Sequence, residues 1–384
     1  MESWTAEKRG GECWKRSLEP MNSLDRRCSM KRQAGWVVCS FLLVLSLIMG
    51  ACSSDSDSNS KSTPTPTPEK TFVTEYAQGP WTSEDFVNDP QDFQFAIVSD
   101  RCGIHRPGVF SGAVDDLNLL QPEFVISVGD LIEGYTEDAA ELTQMRDEID
   151  GVLNQLEMPF FRVVGNHDMG NEFMRQDWLT HYGRDYYHFV YKDALFLCIS
   201  TEDPPTPLPQ DTIDKIKWFM TFMAQDPEAA TKLALDYYAG KTEESPEDIK
   251  AAVEAANISD EQAAYFVKAI QDNPNVRWTY IFLHKPAWRE EYNCPNFGKI
   301  VEALGESPYT VFAGHEHHYQ YAKVNGRDHI VLGATGGLVK GRGPGYMDHV
   351  VWVTMTSEGP EICNLTLDGM LNRQISEPAS SSAP

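Results

Sequence analysis

Basic residues are scarce in this chain and its cysteines are scattered. Of 384 residues, 32 are Lys or Arg against 57 Asp or Glu, a formal charge of −25. Affinity for a polyanion comes from counterions released by clustered cations. The deficit therefore excludes a general nucleic-acid scaffold, and any phosphate handled here needs a local positive device. The eight cysteines include no CxxC pair, which excludes a disulfide-stapled mini-fold and a cysteine-rich zinc module. A glycine-rich stretch, GATGGLVKGRGPG (333–345), lacks the Gly-Lys-Ser/Thr ending of a phosphate-binding loop. Internal repeats are absent. The main apolar run, Trp36 to Met49, falls short of the ~20 residues that cross a bilayer as a helix.

Hydrophobic residues make up 41% of the chain and aromatic ones 11%, enough for a large core. Lys31 and Arg32 ahead of the apolar run, then Gly50 and Ala51 before Cys52, form the charged, apolar and small-residue regions of a secretory signal. The Gly50-Ala51-Cys52 end resembles the bacterial lipobox, with Met49 where Leu is commoner. That resemblance implies lipidation of Cys52, export, and a membrane-tethered place in the bacterial cell envelope, in the periplasm or at the cell surface. Residues 1–29, with mixed charge and two cysteines, fit a mis-called extension ahead of a start at Met30. The expected organisation is a signal over 30–52, a Ser/Asp/Thr-Pro linker over 53–70, a folded domain over 71–375 and a disordered tail over 376–384. Beyond residue 52 there remain 24 Lys and Arg against 52 Asp and Glu, a formal −28.

Short apolar, β-branched runs recur through the folded part: 95–99, 124–129, 160–165, 195–200, 278–284, 309–315, 329–334 and 349–355. Several are almost continuously apolar, as strands covered on both faces are. Helical periodicity separates the early runs, over 112–120, 138–157 and 171–181. Residues 206–275 are charged and Ala-rich with helical spacing, which predicts a helical insertion within one α/β domain.

Five of these runs end in polar, metal-capable residues. Ser99 and Asp100 follow FAIV, Gly129 and Asp130 follow FVISV, and Gly165-Asn166-His167-Asp168 follows FFRVV. His284 follows WTYIFL, and Gly314-His315-Glu316-His317 follows YTVFA. Ligands of open α/β sheets collect beyond the carboxyl ends of strands, which gives this repetition a geometric reason. One such Asp is usually a helix cap; five such ends in one chain are hard to explain as caps. A mixture of carboxylate, amide and imidazole suits Fe, Mn or Zn better than Ca²⁺ or Mg²⁺.

In their order and content, Gly129-Asp130, Gly165-Asn166-His167-Asp168, His284 and Gly314-His315-Glu316-His317 resemble the calcineurin-like metallophosphoesterase family over roughly 93–355. The resemblance implies a four-layer α-β-β-α sandwich carrying two divalent metal ions. It implies Asp130 bridging both metals, Asp100 and His317 on the first, and Asn166, His284 and His315 on the second. His167 would then act at the leaving group, with Asp168 orienting its ring. The expected activity is hydrolysis of a phosphate ester by a metal-bridging hydroxide.

The first motif departs from the family's Asp-x-His, because Cys102 stands two residues after Asp100. His105 reaching the metal from a longer loop, Cys102 binding as a thiolate, and a weak first site are competing readings; His105 is favoured. Arg101 and Arg106 are expected at the substrate phosphate, with Lys340 and Arg342 as further contacts. His181, His188, His329 and His349 have no motif around them and read as structural. The substrate is expected to be a small-molecule or polymer phosphate ester. A phosphodiesterase or pyrophosphatase of the same fold, or an envelope protein that binds metal and ligand without turnover, are the alternatives.

Overall fold

A computed structural model describes residues 82–83, 87, 89–241 and 255–369. The expected N-terminal extension, secretory signal, lipidation site at Cys52, linker and C-terminal tail lie outside these residues. Among the described residues no helix is long and apolar enough to cross a membrane.

Among the described residues, eleven strands form two sheets. The first has the order β11-β10-β1-β2-β3, from β1 (Phe93–Val98), β2 (Phe124–Ser127), β3 (Phe160–Phe161), β10 (His349–Thr356) and β11 (Gly359–Thr366). The second has the order β4-β5-β6-β7-β9-β8, from β4 (Tyr187–Tyr191), β5 (Ala194–Cys198), β6 (Trp278–Phe282), β7 (Tyr309–Ala313), β8 (Gln320–Val324) and β9 (Arg327–Val331). β1, β2 and β3 run parallel, as do β5, β6, β7 and β9.

The side-chain alternation of each strand explains how the sheets stack. On β1, Phe93, Phe95 and Ile97 face a shared interior with Phe196, Tyr280, Phe282 and Phe312 of the second sheet. Ala96 and Val98 face outward, onto α1 (Val109–Leu120) and α2 (Ala139–Leu153). On the other side, Leu195, Leu197, Ile281, Leu283 and Val311 pack beneath α6 (Asp260–Asp272) and α7 (Pro295–Leu304). The result is four layers, α-β-β-α. Truncating a fully buried ring such as Phe95 would cost about 3–5 kcal/mol.

Helix starts follow local chemistry. The Asp138 carboxylate accepts from the amides of Ala140 and Glu141 at the head of α2, and Ser259 accepts from Gln262 at the head of α6. Asn171 caps α3 (Glu172–His181) in the same way.

Between β5 and β6 the chain forms α4 (Gln210–Gln225), α5 (Pro227–Tyr238) and α6. α6 belongs to the outer layer, as the crossover between two parallel strands. α4 and α5 instead share a separate small cluster in which Met223, Ala230 and Ala234 meet Leu338, with Ile104, Phe219 and Phe222 alongside.

Candidate metal centre

The five polar strand ends gather at the carboxyl ends of β1, β2 and β3 in one sheet and of β6 and β7 in the other. Two groups of side chains there have donor atoms within 4.8 Å of one another: Asp100, Asp130 and His317, and Asp130, His284 and His315. Asp130 belongs to both. In the first group, His317 Nε2 lies 3.4 Å from Asp100 Oδ1. In the second, His284 Nε2 lies 3.1 Å from Asp130 Oδ2, 3.0 Å from Asn166 Oδ1 and 3.3 Å from His315 Nδ1.

These donors are aimed from behind. His284 Nδ1 is 2.8 Å from the Val128 carbonyl and His317 Nδ1 is 2.6 Å from the Leu338 carbonyl. A carbonyl only accepts, so Nδ1 carries the proton in each ring and Nε2 keeps its lone pair for the cluster. Asn166 Nδ2 donates to the Tyr135 hydroxyl at 2.7 Å, which leaves Oδ1 facing the cluster. Carboxylate, amide and imidazole lone pairs converging on two points make a donor set that fits a pair of transition-metal cations.

The backbone is bent to achieve this. Asp100, Asp130, His315 and His317 all have positive φ, 31°, 59°, 74° and 53°. Such non-glycine conformations cost about 1 kcal/mol or more each and persist where the surroundings impose them. Gly129 has φ 101°, and a Cβ there would come within 2.8 Å of Gly165 and of His284 Nδ1, so no side chain fits between the two loops.

Electrostatics reflect the crowding. Burial would raise Asp130, but His284 and His167 hold it far below the usual carboxylate range. Burial would lower His284, but Asp130 pushes it up to about 9. Burial and the neighbouring His284 hold His315 well below an ordinary imidazole. A cation bound between them would take the place of a proton on His284 Nε2, so metal binding here competes with protonation.

Other expected site residues fall differently. His167 is in place: its Nδ1 lies 2.8 Å from the Glu133 carbonyl, and the ring lines the cavity beside the cluster. Asp168 does not orient that ring. Its carboxylate accepts the backbone N–H groups of Asp130, Leu131, Ile132 and Gly165 at 2.8–3.2 Å and so locks two loops together. Burial and the nearby Asp130 push Asp168 up to about 6. The Glu133 carboxylate lies 3.7 Å from His167 Nδ1, and the Asp130 carboxylate accepts the His167 backbone N–H at 2.9 Å. Glu133 was not among the expected site residues; its place three residues after Asp130 is the signal by which the sequence could have pointed to it.

His105 belongs to neither donor group. Positive φ at Gly103 and Ile104 turns the loop, and the Glu133 carboxylate accepts the His105 and Ile104 amides at 2.6 and 3.2 Å. The His105 ring sits 3.8 Å from the same carboxylate. Cys102 is fully buried, belongs to neither group, and its thiol lies 3.6 Å from Arg101 Nη1. Burial raises it well above an ordinary thiol.

Arg101 and Arg106 do not reach toward the cluster. Arg101 is buried, donating to the Leu131 carbonyl at 2.8 Å and paired with Glu148. Arg106 donates to the Gly337 carbonyl at 2.7 Å and pairs with Asp348. Both are committed to loop structure. Lys340 does line the cavity, with Nζ 3.0 Å from the His315 carbonyl; Arg342 faces a different one.

The cavity over the cluster measures about 470 Å³. Its floor is Asp130, Asn166, His167, His315 and His317, and part of its wall comes from α4 and α5.

A family model described as calcineurin-like phosphoesterase matches residues 87–319. No curated protein matches the chain. Among solved structures, the chain is similar to a dimetal phosphatase from Danio rerio at 13% identity, covering 72% of this chain and 99% of that one with a TM-score of 0.46. It is similar to GAP50, the anchor in the inner membrane complex of Plasmodium, at 14% identity, covering 72% and 85% with a TM-score of 0.42. It is also similar to the purple acid phosphatase PPD1 from yellow lupin seeds at 12% identity, covering 73% and 52% with a TM-score of 0.42.

Proposed function

Because the chain belongs to the calcineurin-like phosphoesterase family, we propose that it hydrolyses a phosphate ester at a centre of two divalent cations, Fe, Mn or Zn. The observation that carries this is one carboxylate, Asp130, shared by two converging donor groups. Asp100, Asp130 and His317 would hold one cation, and Asp130, Asn166, His284 and His315 the other. When bound, such a pair supplies the positive charge this acidic chain otherwise lacks and lowers the pKa of a water toward neutrality.

The chain's own residues do the rest. His167, with Nδ1 held by the Glu133 carbonyl, presents Nε2 to the cavity, where it would hold the proton delivered to the departing alkoxide. Glu133 keeps that ring and the loop 104–105 in place. Lys340 reinforces positive charge at the rim.

The test is metal analysis with a chromogenic phosphate panel on the domain and on Asp130→Asn. Two equivalents of transition metal with turnover, both diminished in the variant, are expected. Near-normal turnover by a metal-replete Asp130→Asn would overturn the mechanism. The first donor group has three side chains against four in the second, because Cys102 and His105 contribute nothing. This favours, as the second reading, a protein that binds one metal and a phosphorylated ligand without turnover; one equivalent and no activity would establish it. Lipid attachment at Cys52 and export to the cell envelope belong to the same proposal. Labelled palmitate entering the full chain but not Cys52→Ser is the expected result.

A further inference from the structure

The phosphoester reading leaves the alcohol half of the substrate undefined, and the cavity wall speaks to it. Away from the metal-ligating floor, the wall is built from Ile104, Leu208 and Ile216 with the rings of Tyr237 and Tyr238. Three of the wall residues come from the segment around α4 at one-turn spacing: Leu208 just before the helix, then Thr212 and Ile216. Charges on the wall are few and mostly spoken for. Lys340 is its one Lys or Arg among the described residues, donating to the His315 carbonyl and standing 5.7 Å from the Tyr238 ring centroid. Glu316 is engaged by Arg289 and by the Tyr292 hydroxyl at 3.1 Å. Glu291 adds a further negative charge.

A second anionic group on the substrate would therefore meet carboxylates and apolar carbon. An apolar or aromatic group would find matching surface, and burying it yields about 25 cal/mol per Å² of apolar area. We infer that the substrate is the phosphate ester of an uncharged, apolar or aromatic alcohol, and that the segment around α4 is the element that selects it. This rests on the phosphoesterase reading for the placement of the phosphate, and goes beyond it in naming the leaving group.

The experiment is calorimetric titration of the metal-loaded protein with four non-hydrolysable probes: methylphosphonate, 1-naphthylmethylphosphonate, 3-phosphonopropionate and 2-aminoethylphosphonate. The naphthyl probe is expected to bind about tenfold or more tightly than methylphosphonate, and the two charged probes no more tightly than methylphosphonate. Ile216→Asn, which adds no charge to the cavity, should lower naphthyl-probe affinity about tenfold and methylphosphonate affinity far less, so that the preference is lost. Ile216→Thr, a milder change at a half-buried position, should reduce the preference in a protein that melts like wild type. A charged probe binding more tightly than the naphthyl one, or an unchanged preference in both variants, overturns the inference. The expected binding pattern without turnover of aryl phosphates would leave the ligand class standing and remove the hydrolytic reading. Failure of every probe to bind would remove both.

Discussion

Replacing Tyr135 by Phe removes one oxygen and should weaken one cation site while sparing the other. The two atoms of the Asn166 amide are nearly alike in size, and only Oδ1 can ligate a cation. What distinguishes the two orientations is the Tyr135 hydroxyl, 2.7 Å from Nδ2, buried like the amide it faces. Burial holds the phenol well above its ordinary pKa, so it remains neutral and able to accept. In Tyr135→Phe the amide donor is stranded, at a cost of about 1–3 kcal/mol, or it rotates and turns Oδ1 away. Loss of such a supporting hydrogen bond weakens metal binding about 10- to 100-fold, or about 1.4–2.7 kcal/mol, so the two routes agree in size. The ring itself is retained, including its edge-on contact with His167 at 4.9 Å. Calorimetric titration of the apo-protein with Zn²⁺ or Mn²⁺ should show one equivalent weakened by that factor and one unchanged. Wild-type affinity for both equivalents would refute the positioning role. Equal weakening of both would indicate general loosening instead.

Other substitutions test different links. Asp130→Asn removes the carboxylate common to both donor groups, so both equivalents should weaken and kcat should fall about a hundredfold or more, read by metal analysis and phosphate release. Lys285→Met strands the buried Glu202 carboxylate, whose oxygens lie 3.1 and 3.2 Å from Lys285 Nζ. The expected loss is about 3–5 kcal/mol, a fall in Tm of about 6–20 °C. Its pH dependence has a definite sign. Burial already raises the Glu202 pKa against the pull of Lys285, and removing the lysine raises it further. A folded-state pKa above the unfolded one means stability is kept at low pH and lost as pH rises through the folded value. The deficit should therefore be largest at neutral pH and shrink toward pH 5 in thermal melts; a constant deficit would contradict the assignment. Cys102→His offers the three-donor group an imidazole two residues after Asp100, and should tighten the weaker of the two metal equivalents in a chelator competition. No change would show that the loop keeps position 102 turned away whatever the side chain.

Much of the fold was legible because its strands are covered on both faces. The runs at 95–99, 195–200, 278–284 and 309–315 are almost continuously apolar up to their polar ends, and each became an interior strand of its sheet. β4, β8 and β11 were missed because they are edge strands with one face in water: YHFVY, QYAKV and GPEICNLT show broken, half-exposed patterns. The run 160–165 is apolar for another reason. Only Phe160 and Phe161 pair as β3, and the rest continues unpaired into the site loop. Metal-capable residues were visible as residue types at strand ends. Where side chains point was not, because partners distant in sequence decide it. Arg106 is taken by Gly337 and Asp348, and Arg101 by Glu148, at separations no local pattern encodes. The turn of Gly103 and Ile104 carried His105 onto Glu133 in the same way.

Leu338 joins the proposed selecting wall to the candidate metal centre. Leu338 packs its side chain into the small cluster of α4 and α5, while its carbonyl receives His317 Nδ1 and so orients a donor of the first group. Ile104 joins the same cluster from the loop that follows Asp100. The helices that wall the cavity are thus seated on the backbone that aims the weaker of the two donor groups. A ligand pressing on Ile216 moves against a helix whose support includes that carbonyl. Because the shared seat can transmit in either direction, occupancy of the apolar wall and affinity for the first cation should be linked, and by thermodynamic reciprocity each would change the other by the same factor.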